Sequence, residues 1–318
     1  MRIVYFGSPD FAVPPLKALY AAGHDIAAVV TQPDRAKGRG GNIAMTAVKK
    51  EALALNIPVI QPEKVNDPQA VREIIEYGAD ILIVVAFGQI LREELLTATK
   101  YGAVNLHASL LPAYRGAAPI HWAVVNGEER TGITTMFMDR GMDTGNIIYQ
   151  GELEISPGDD TGSLYEKMSS VGAELLCRTV EDIKAGIAPS IPQDNASASY
   201  APLIKKEDEL INWQNTAWQI HNHIRGMSPW PVAHTVIEGK RLKIWCSAAD
   251  SELEIFDSDD LVAGEVAAVV EGRGIFVKTG EGCLLLTEVQ LEGRQRMPAD
   301  AFSRGYKITT GTKFCGEI

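Results

Sequence analysis

The first half of the chain sets short apolar runs, several of them almost unbroken Val and Ile, between stretches of helical periodicity. Residues 2–6, 25–31, 58–60, 81–85, 103–106 and 132–138 read as strands. Residues 11–22, 44–55, 68–77, 93–100 and 118–126 read as helices between them, with one more over 161–185. A strand that is apolar throughout must be covered on both faces, which is the situation of a parallel sheet held between crossover helices. The alternation therefore predicts an α/β fold: a doubly wound, mostly parallel, Rossmann-like sheet.

Beyond Gly186 the texture changes. Residues 187–200 are rich in Ala, Ser, Pro and Asn and show little periodicity, which reads as a linker. One further helix is expected over 216–225, then Pro229-Trp230-Pro231, then short strands over 233–238, 242–247, 264–270, 274–279 and 283–290 with glycines between them. Such spacing predicts a small β-barrel of OB-like type or a sandwich. At 318 residues the chain suits two domains. We expect a catalytic domain over 1–189, a linker over 190–206 and a C-terminal domain over 207–318.

Four scattered cysteines without CxxC spacing argue against a disulfide framework or a zinc cage. The chain starts directly on a strand-like run, with no apolar stretch of the ~18–20 residues that cross a bilayer, so a cytoplasmic location is expected. A net charge of -11 speaks against broad nucleic-acid binding. Any nucleic-acid partner has to meet a local basic face.

The most informative stretch is Gly102-Ala-Val-Asn-Leu-His-Ala-Ser-Leu-Leu-Pro-Ala-Tyr-Arg-Gly116. Side chains alternate along a strand, so Asn105 and His107 share one face. Polar groups on a central strand are expensive unless satisfied, and here they fall at the strand end, where doubly wound folds bind ligands. Together they can donate to a developing oxyanion; the plainer alternative is a hydrogen-bonded strand end with a structural histidine. Further on, Met138-Asp-Arg-Gly-Met-Asp-Thr-Gly145 places two aspartates in a glycine-bounded loop. Turn chemistry alone explains such a loop; as part of a site, Asp143 would orient His107 and help move protons.

An Asn-x-His followed by Ser-Leu-Leu-Pro, with Asp-Thr-Gly downstream, resembles the folate-dependent formyltransferases. Phe6-Gly-Ser-Pro-Asp-Phe11, Thr31-Gln-Pro-Asp-Arg-Ala-Lys-Gly-Arg-Gly40, Val85-Ala-Phe-Gly88 and Arg115-Gly-Ala-Ala-Pro-Ile120 extend the resemblance to the branch acting on charged tRNA. The likeness runs through Asn212-Trp213 and Pro229-Trp230-Pro231 in the second half. It implies 10-formyltetrahydrofolate as co-substrate, initiator methionyl-tRNA as acceptor, and no metal. It implies that Asn105 and His107 hold the oxyanion while Asp143 sets the charge and orientation of His107. A folate pocket would use Val85, Ala86, Phe87, Gly88, Ile90 and Leu91 with Ser109, Leu110, Leu111, Pro112 and Asp139. The insertion carrying Arg35, Lys37 and Arg39 would reach the tRNA acceptor end, Arg39 being at the matching position.

The C-terminal half is net acidic, with eleven Lys and Arg against seventeen Asp and Glu from Glu207 onward. Lys240, Arg241, Lys243, Arg294, Arg296, Arg304 and Lys307 nevertheless cluster in short stretches and are expected to face tRNA, with the acidic run 250–260 turned away. Three weaker signals read as structural. His221 and His223 lie two apart on a helix and share no face, His121 and Trp122 read as packing, and Ser8 reads as a simple helix cap. Two other functions stay open: formyl transfer to a small amine, such as glycinamide ribonucleotide or an amino sugar nucleotide, and a non-catalytic folate- or RNA-binding module.

Overall fold

The computed structural model describes residues 1–37, 42–249 and 260–315. Contacts gather into two units: Met1–Pro119, Arg130–Glu154 and Tyr165–Ala201 form the first, and Ile120–Glu129, Ile155–Leu164 and Pro202–Ile318 the second.

In the first unit, β1 (Arg2–Gly7) is buried along nearly its whole length, as Ile-Val-Tyr-Phe demands. It leads to α1 (Val13–Ala21), whose first turn takes Pro14 and Pro15 because N–H groups there lack helical partners anyway. Next come β2 (Asp25–Val30), the short pair β3 (Arg35–Lys37) and β4 (Asn42–Ala44), and α2 (Ala47–Ala54). Thr46 caps α2 by accepting from the Lys49 amide at 3.1 Å. β5 (Val59–Ile60), α3 (Pro68–Glu76), β6 (Ile81–Val85), α4 (Glu93–Leu96), β7 (Ala103–His107) and β8 (Arg115–Gly116) follow, and then α5 (Pro119–Val125), which from Ile120 on belongs to the second unit. β9 (Arg130–Phe137), β10 (Ile147–Glu154), α6 (Thr161–Ala185) and β11 (Tyr200–Ala201) complete the series.

The main sheet runs β10-β9-β7-β6-β1-β2-β5. β5, β2, β1, β6 and β7 are parallel, whereas β9 and β10 are antiparallel to their neighbours. The order reverses at β1, between β2 and β6, so the ligand crevice of a doubly wound sheet opens where β1 and β6 end. β7 stands beside β6.

Three elements depart from expectation. β10 reads Ile-Ile-Tyr-Gln-Gly-Glu-Leu-Glu; it is an edge strand whose second half is exposed at alternate residues, so its apolar signal is weak. The glycine-rich insertion, expected to be loop, is flanked by the β3–β4 pairing. α4 stops at Leu96 instead of running to 100, and the Thr97 hydroxyl donates back to the Glu93 carbonyl at 2.8 Å.

The second unit contains α7 (Ala217–Gly226), opened by a capping box between Thr216 and Gln219. Then come β12 (His234–Ile237), β13 (Lys240–Ala248), β14 (Val266–Val270), β15 (Gly274–Lys278), β16 (Cys283–Leu291) and β17 (Met297–Pro298). The order is β12-β13-β16-β15-β14, with β17 beside β16. Residues 312–315 close the ring, since Cys315 bridges to Val236 at one edge and Lys313 to Glu265 at the other. Closure removes the unpaired edges that an open sheet would leave. A helix not expected from the sequence, α8 (Ala299–Tyr306), packs Phe302 into a core shared with Ile244, Leu284, Leu286 and Phe314. Burying Phe302 is worth about 1.5–3 kcal/mol.

Candidate active site

β7 carries its polar residues into the sheet. Asn105 lies between Val84 of β6 and Met136 of β9, and His107 lies opposite Thr134. Strand alternation puts both side chains on one face. Among the described residues the half-buried Asn105 carboxamide makes no side-chain hydrogen bond, so its N–H donors remain free for a ligand. His107 is 6% exposed, and its Nε2 donates to the Tyr114 carbonyl at 3.0 Å. A carbonyl only accepts, so Nε2 holds a proton and Nδ1 is the ring's remaining polar position. Nδ1 faces Asp143, with Oδ2 at 3.7 Å. That gap is longer than a hydrogen bond and leaves Nδ1 open to an oxygen of a substrate or a bridging water.

The Asp143 carboxylate is held by a backbone amide distant in sequence. The residue has φ +54°, and its Oδ2 accepts from the Gly116 amide at 2.8 Å. Gly116 itself has φ +123°, and a Cβ there would fall 2.6 Å from the Ala201 carbonyl oxygen, so only glycine fits. Gly145 is required for a similar reason: its Cβ would sit 1.7 Å from the Phe137 carbonyl oxygen. Non-glycine residues at positive φ cost on the order of 1–3 kcal/mol each and persist only where surrounding structure fixes them. Tyr114 at +59° and Asp143 are both of this kind, and both face His107.

The loop after His107 is held from β9 and β10. Thr134 Oγ1 donates to the Ser109 carbonyl at 2.6 Å and accepts from the Leu111 amide at 3.1 Å; Gln150 donates to the Leu111 carbonyl at 2.8 Å. Tyr114, Gly116, Thr134 and Gln150 had no assigned role in the sequence reading. Tyr114 and Gly116 stand in quoted motifs, whereas Thr134 and Gln150 carry no such signal.

The residues expected to meet folate emerge from adjacent strands: 85–91 from β6 and 109–112 from β7, whose Val84 and Asn105 are in register. Val85, Phe87, Leu91, Ser109 and Leu111 are buried, and Phe87 packs edge-on to Phe6 at 5.3 Å. Ala86 at φ +47° and Gly88 at φ +85° are exposed and turn backbone outward, as is Ile90. Leu110 and Pro112 are half-buried. Apolar walls with exposed backbone polar groups suit a flat heteroaromatic ring. Asp139 is exposed, but its Oδ1 is engaged by the Gly141 amide at 2.9 Å and the Thr144 hydroxyl at 2.6 Å, so it shapes the Asp143 loop. Ser8 is not the helix cap expected of it. It accepts from the Gln32 amide at 3.1 Å and donates to the Phe87 carbonyl at 3.3 Å, tying the ends of β1, β2 and β6.

The cations separate into groups. Arg35 is exposed, 3.8 Å from Glu63; Lys37 lies in β3, and Arg39 falls outside the described residues, as does 250–259 of the acidic run. In the second unit, β13–β16 pairing brings Lys243 opposite Gln290, whose amide donates to the Arg294 carbonyl at 2.8 Å. Arg296 lies over the Trp245 ring, 4.7 Å from its centroid, and pairs with Glu288. Arg241 is on the same strand two residues before Lys243, and Lys240 opens it. Arg304 on α8 pairs with Asp300 of the same helix at 3.2 Å and with Glu271, just after β14, at 3.7 Å, and Lys307 ends that helix in a left-handed conformation.

Residues 1–180 match the family model described as formyl transferase, and residues 203–307 that described as formyl transferase, C-terminal domain. The methionyl-tRNA formyltransferase of Pelotomaculum thermopropionicum is 50% identical over 312 residues, covering 98% of this chain and 97% of its own. That of Moorella thermoacetica is 48% identical over 313 residues, with 98% of each chain covered. Among solved structures, the sugar 3N-formyl transferase WlaRD, in the presence of dTDP and 5-N-formyl-THF, covers 93% of this chain and 99% of its own. It aligns with TM-score 0.64 at 21% identity. The N-formyltransferase from Helicobacter canadensis, in complex with folinic acid and dTDP-3-aminofucose, gives 0.63 at 22% identity over 89% of this chain and 98% of its own. At these identities the structural likeness speaks for the fold.

Proposed function

This chain belongs to the formyl transferase family, and from that premise we propose that it transfers the formyl group of 10-formyltetrahydrofolate to the α-amino group of methionyl initiator tRNA. The reading is supported by relatives of that name at 43–50% identity over nearly the full length. On the same reading we assign the reaction to the cytoplasm. The observation that carries the chemistry is the meeting of Asn105, His107 and Asp143 at the end of β7, beside the outturned backbone after β6.

The reduced folate supplies an activated formyl carbon and a leaving amine nitrogen. As the methionyl nitrogen bonds to that carbon, negative charge builds on the formyl oxygen. The Asn105 carboxamide and a protonated His107 Nδ1 are donors suited to that oxygen. Tyr114 holds the ring from its far side, so no reorientation is needed when the charge appears. The amine must lose a proton and the folate nitrogen must gain one. Asp143, with one oxygen fixed by Gly116, is the base close enough to relay it through a water. The cations of β13 and those after β16, together with Arg35, Lys37 and Arg39, are the groups we assign to tRNA phosphates.

The test is a purified-protein assay with 10-formyltetrahydrofolate and four acceptors: charged initiator tRNA, free methionine, glycinamide ribonucleotide and a dTDP-amino sugar. Charged tRNA should give the highest kcat/KM by at least about a hundredfold, as discrimination built on many remote contacts allows. Comparable turnover of either small amine would replace the acceptor assignment.

A further inference from the structure

Arg115 is a buried cation with no carboxylate partner among the described residues. It is 2% exposed, and its guanidinium is answered only by neutral amides: Nε and Nη2 donate to Gln193 Oε1 at 3.2 and 2.7 Å, and Nη2 also donates to Asn195 Oδ1 at 2.9 Å. Desolvating a guanidinium for neutral partners is expensive, so its local role calls for an account.

Gln193 supplies one. Its other end donates from Nε2 to the carbonyls of Asp143 and Gly145, both at 2.8 Å. Two guanidinium N–H groups fix the oxygen and two carbonyls fix the nitrogen, so the amide has one permitted orientation and no spare capacity. Residues around it are tied to the same loops. Ile191 exchanges two backbone hydrogen bonds with Ile147, at 2.8 and 2.9 Å. Ser199 accepts from the Tyr114 and Arg115 amides, both at 2.9 Å, and the Ala201 carbonyl accepts from Ala117 at 2.9 Å. The segment 191–201 is thus a strap over both loops that face His107: the one whose Tyr114 carbonyl anchors the ring and the one that bears Asp143.

We propose that Gln193, oriented by Arg115, is a positioning residue that holds Asp143 in its left-handed conformation and so sets the gap between the Asp143 carboxylate and His107. The inference rests on Asp143 taking part in the reaction. Gly116 fixes the Asp143 side chain and Gln193 fixes its backbone. Without the second restraint the residue is free to leave positive φ, and the carboxylate moves with it.

Gln193→Glu separates positioning from packing, because a carboxylate still accepts from Arg115 but offers nothing to the Asp143 and Gly145 carbonyls. We expect a thermal midpoint equal to or above wild type and an unchanged KM for 10-formyltetrahydrofolate. We expect kcat to fall roughly tenfold to a hundredfold, the range for a catalytic group displaced by about an ångström. Gln193→Ala should lower kcat in the wild-type background and have no further effect in Asp143→Ala. A Gln193→Glu protein that keeps wild-type kcat or fails to fold overturns the proposal, as does an equal loss from Gln193→Ala in both backgrounds. Wild-type kcat in Asp143→Ala alone would bring down the catalytic reading of Asp143 and this inference with it, and no other outcome does both.

Discussion

The surroundings of His107 and the cations on β13 and after β16 are built on opposite plans. Around His107, directional hydrogen bonds from backbone and buried amides hold almost every group: Tyr114 on the ring, Gly116 and Gln193 on Asp143, Thr134 and Gln150 on the loop between. On β13 and just after β16 the cations are exposed or half-buried, and the Arg296–Glu288 pair is open to solvent. If the first region acts as proposed it needs position, since stabilising charge on one oxygen depends on tenths of an ångström. On the proposed reading the second needs only sign and proximity, because attraction to a phosphate backbone is long-ranged and screened by salt. Substitutions in the two regions should therefore fail differently.

The largest effect is expected at the first. His107→Ala should lower kcat by about a hundredfold to a thousandfold, the usual loss for one oxyanion donor, with KM for the folate within a few-fold of wild type. Single-turnover assays decide this; unchanged turnover would remove His107 from the chemistry. Next comes Gly116→Ala, where a Cβ collides with the Ala201 carbonyl and the Asp143 restraint shifts. We expect a kcat loss of roughly tenfold or more with about 1–3 kcal/mol of stability lost. Denaturant unfolding alongside the assay checks both.

A smaller effect sharpens the contrast from beneath the cationic face. His234, opposite Lys243 in register, is pushed down to about 4 from its ordinary 6.5, by burial first and then by Arg241 and Lys243. The folded state resists protonation that the unfolded chain accepts. Stability is therefore unaffected above the unfolded value and falls as pH drops from about 6.5 toward 4. All five tryptophans lie in the second unit, so their fluorescence during urea unfolding follows it alone. His234→Leu should flatten part of the slope; an unaltered slope would contradict the assignment. The smallest changes belong to Arg296→Ala and Lys243→Ala. Each should raise KM for charged tRNA about two- to fivefold, reduce the salt dependence of binding by about one ion, and leave folate KM alone. A loss in kcat of the size expected for His107 would erase the distinction between the two regions.

Much of the first sheet was legible because Val- and Ile-rich runs have to be buried wherever they fall, and burial on both faces admits few architectures. β10 was not, since an edge strand carrying Gln150, Gly151 and Glu152 is exposed at alternate positions and loses its apolar signature. α8 hid among strands for a related reason. It is eight residues long, and only Ala299, Phe302 and Ser303 are buried. The shared face of Asn105 and His107 followed from strand alternation alone. The role of Gln193 did not, because it sits in a stretch without periodicity and meets Asp143 across 50 residues of chain.

The sequence by itself determined which side chains must leave water, and with them the direction in which β7 presents an amide and an imidazole. Tertiary structure alone decided that Asp143 lies 3.7 Å from that imidazole and that a strap from 191–201 holds it. Periodicity is local and is written in hydrophobicity. The path of a loop through positive φ is selected by partners distant in the chain, against the preference of the residues that adopt it.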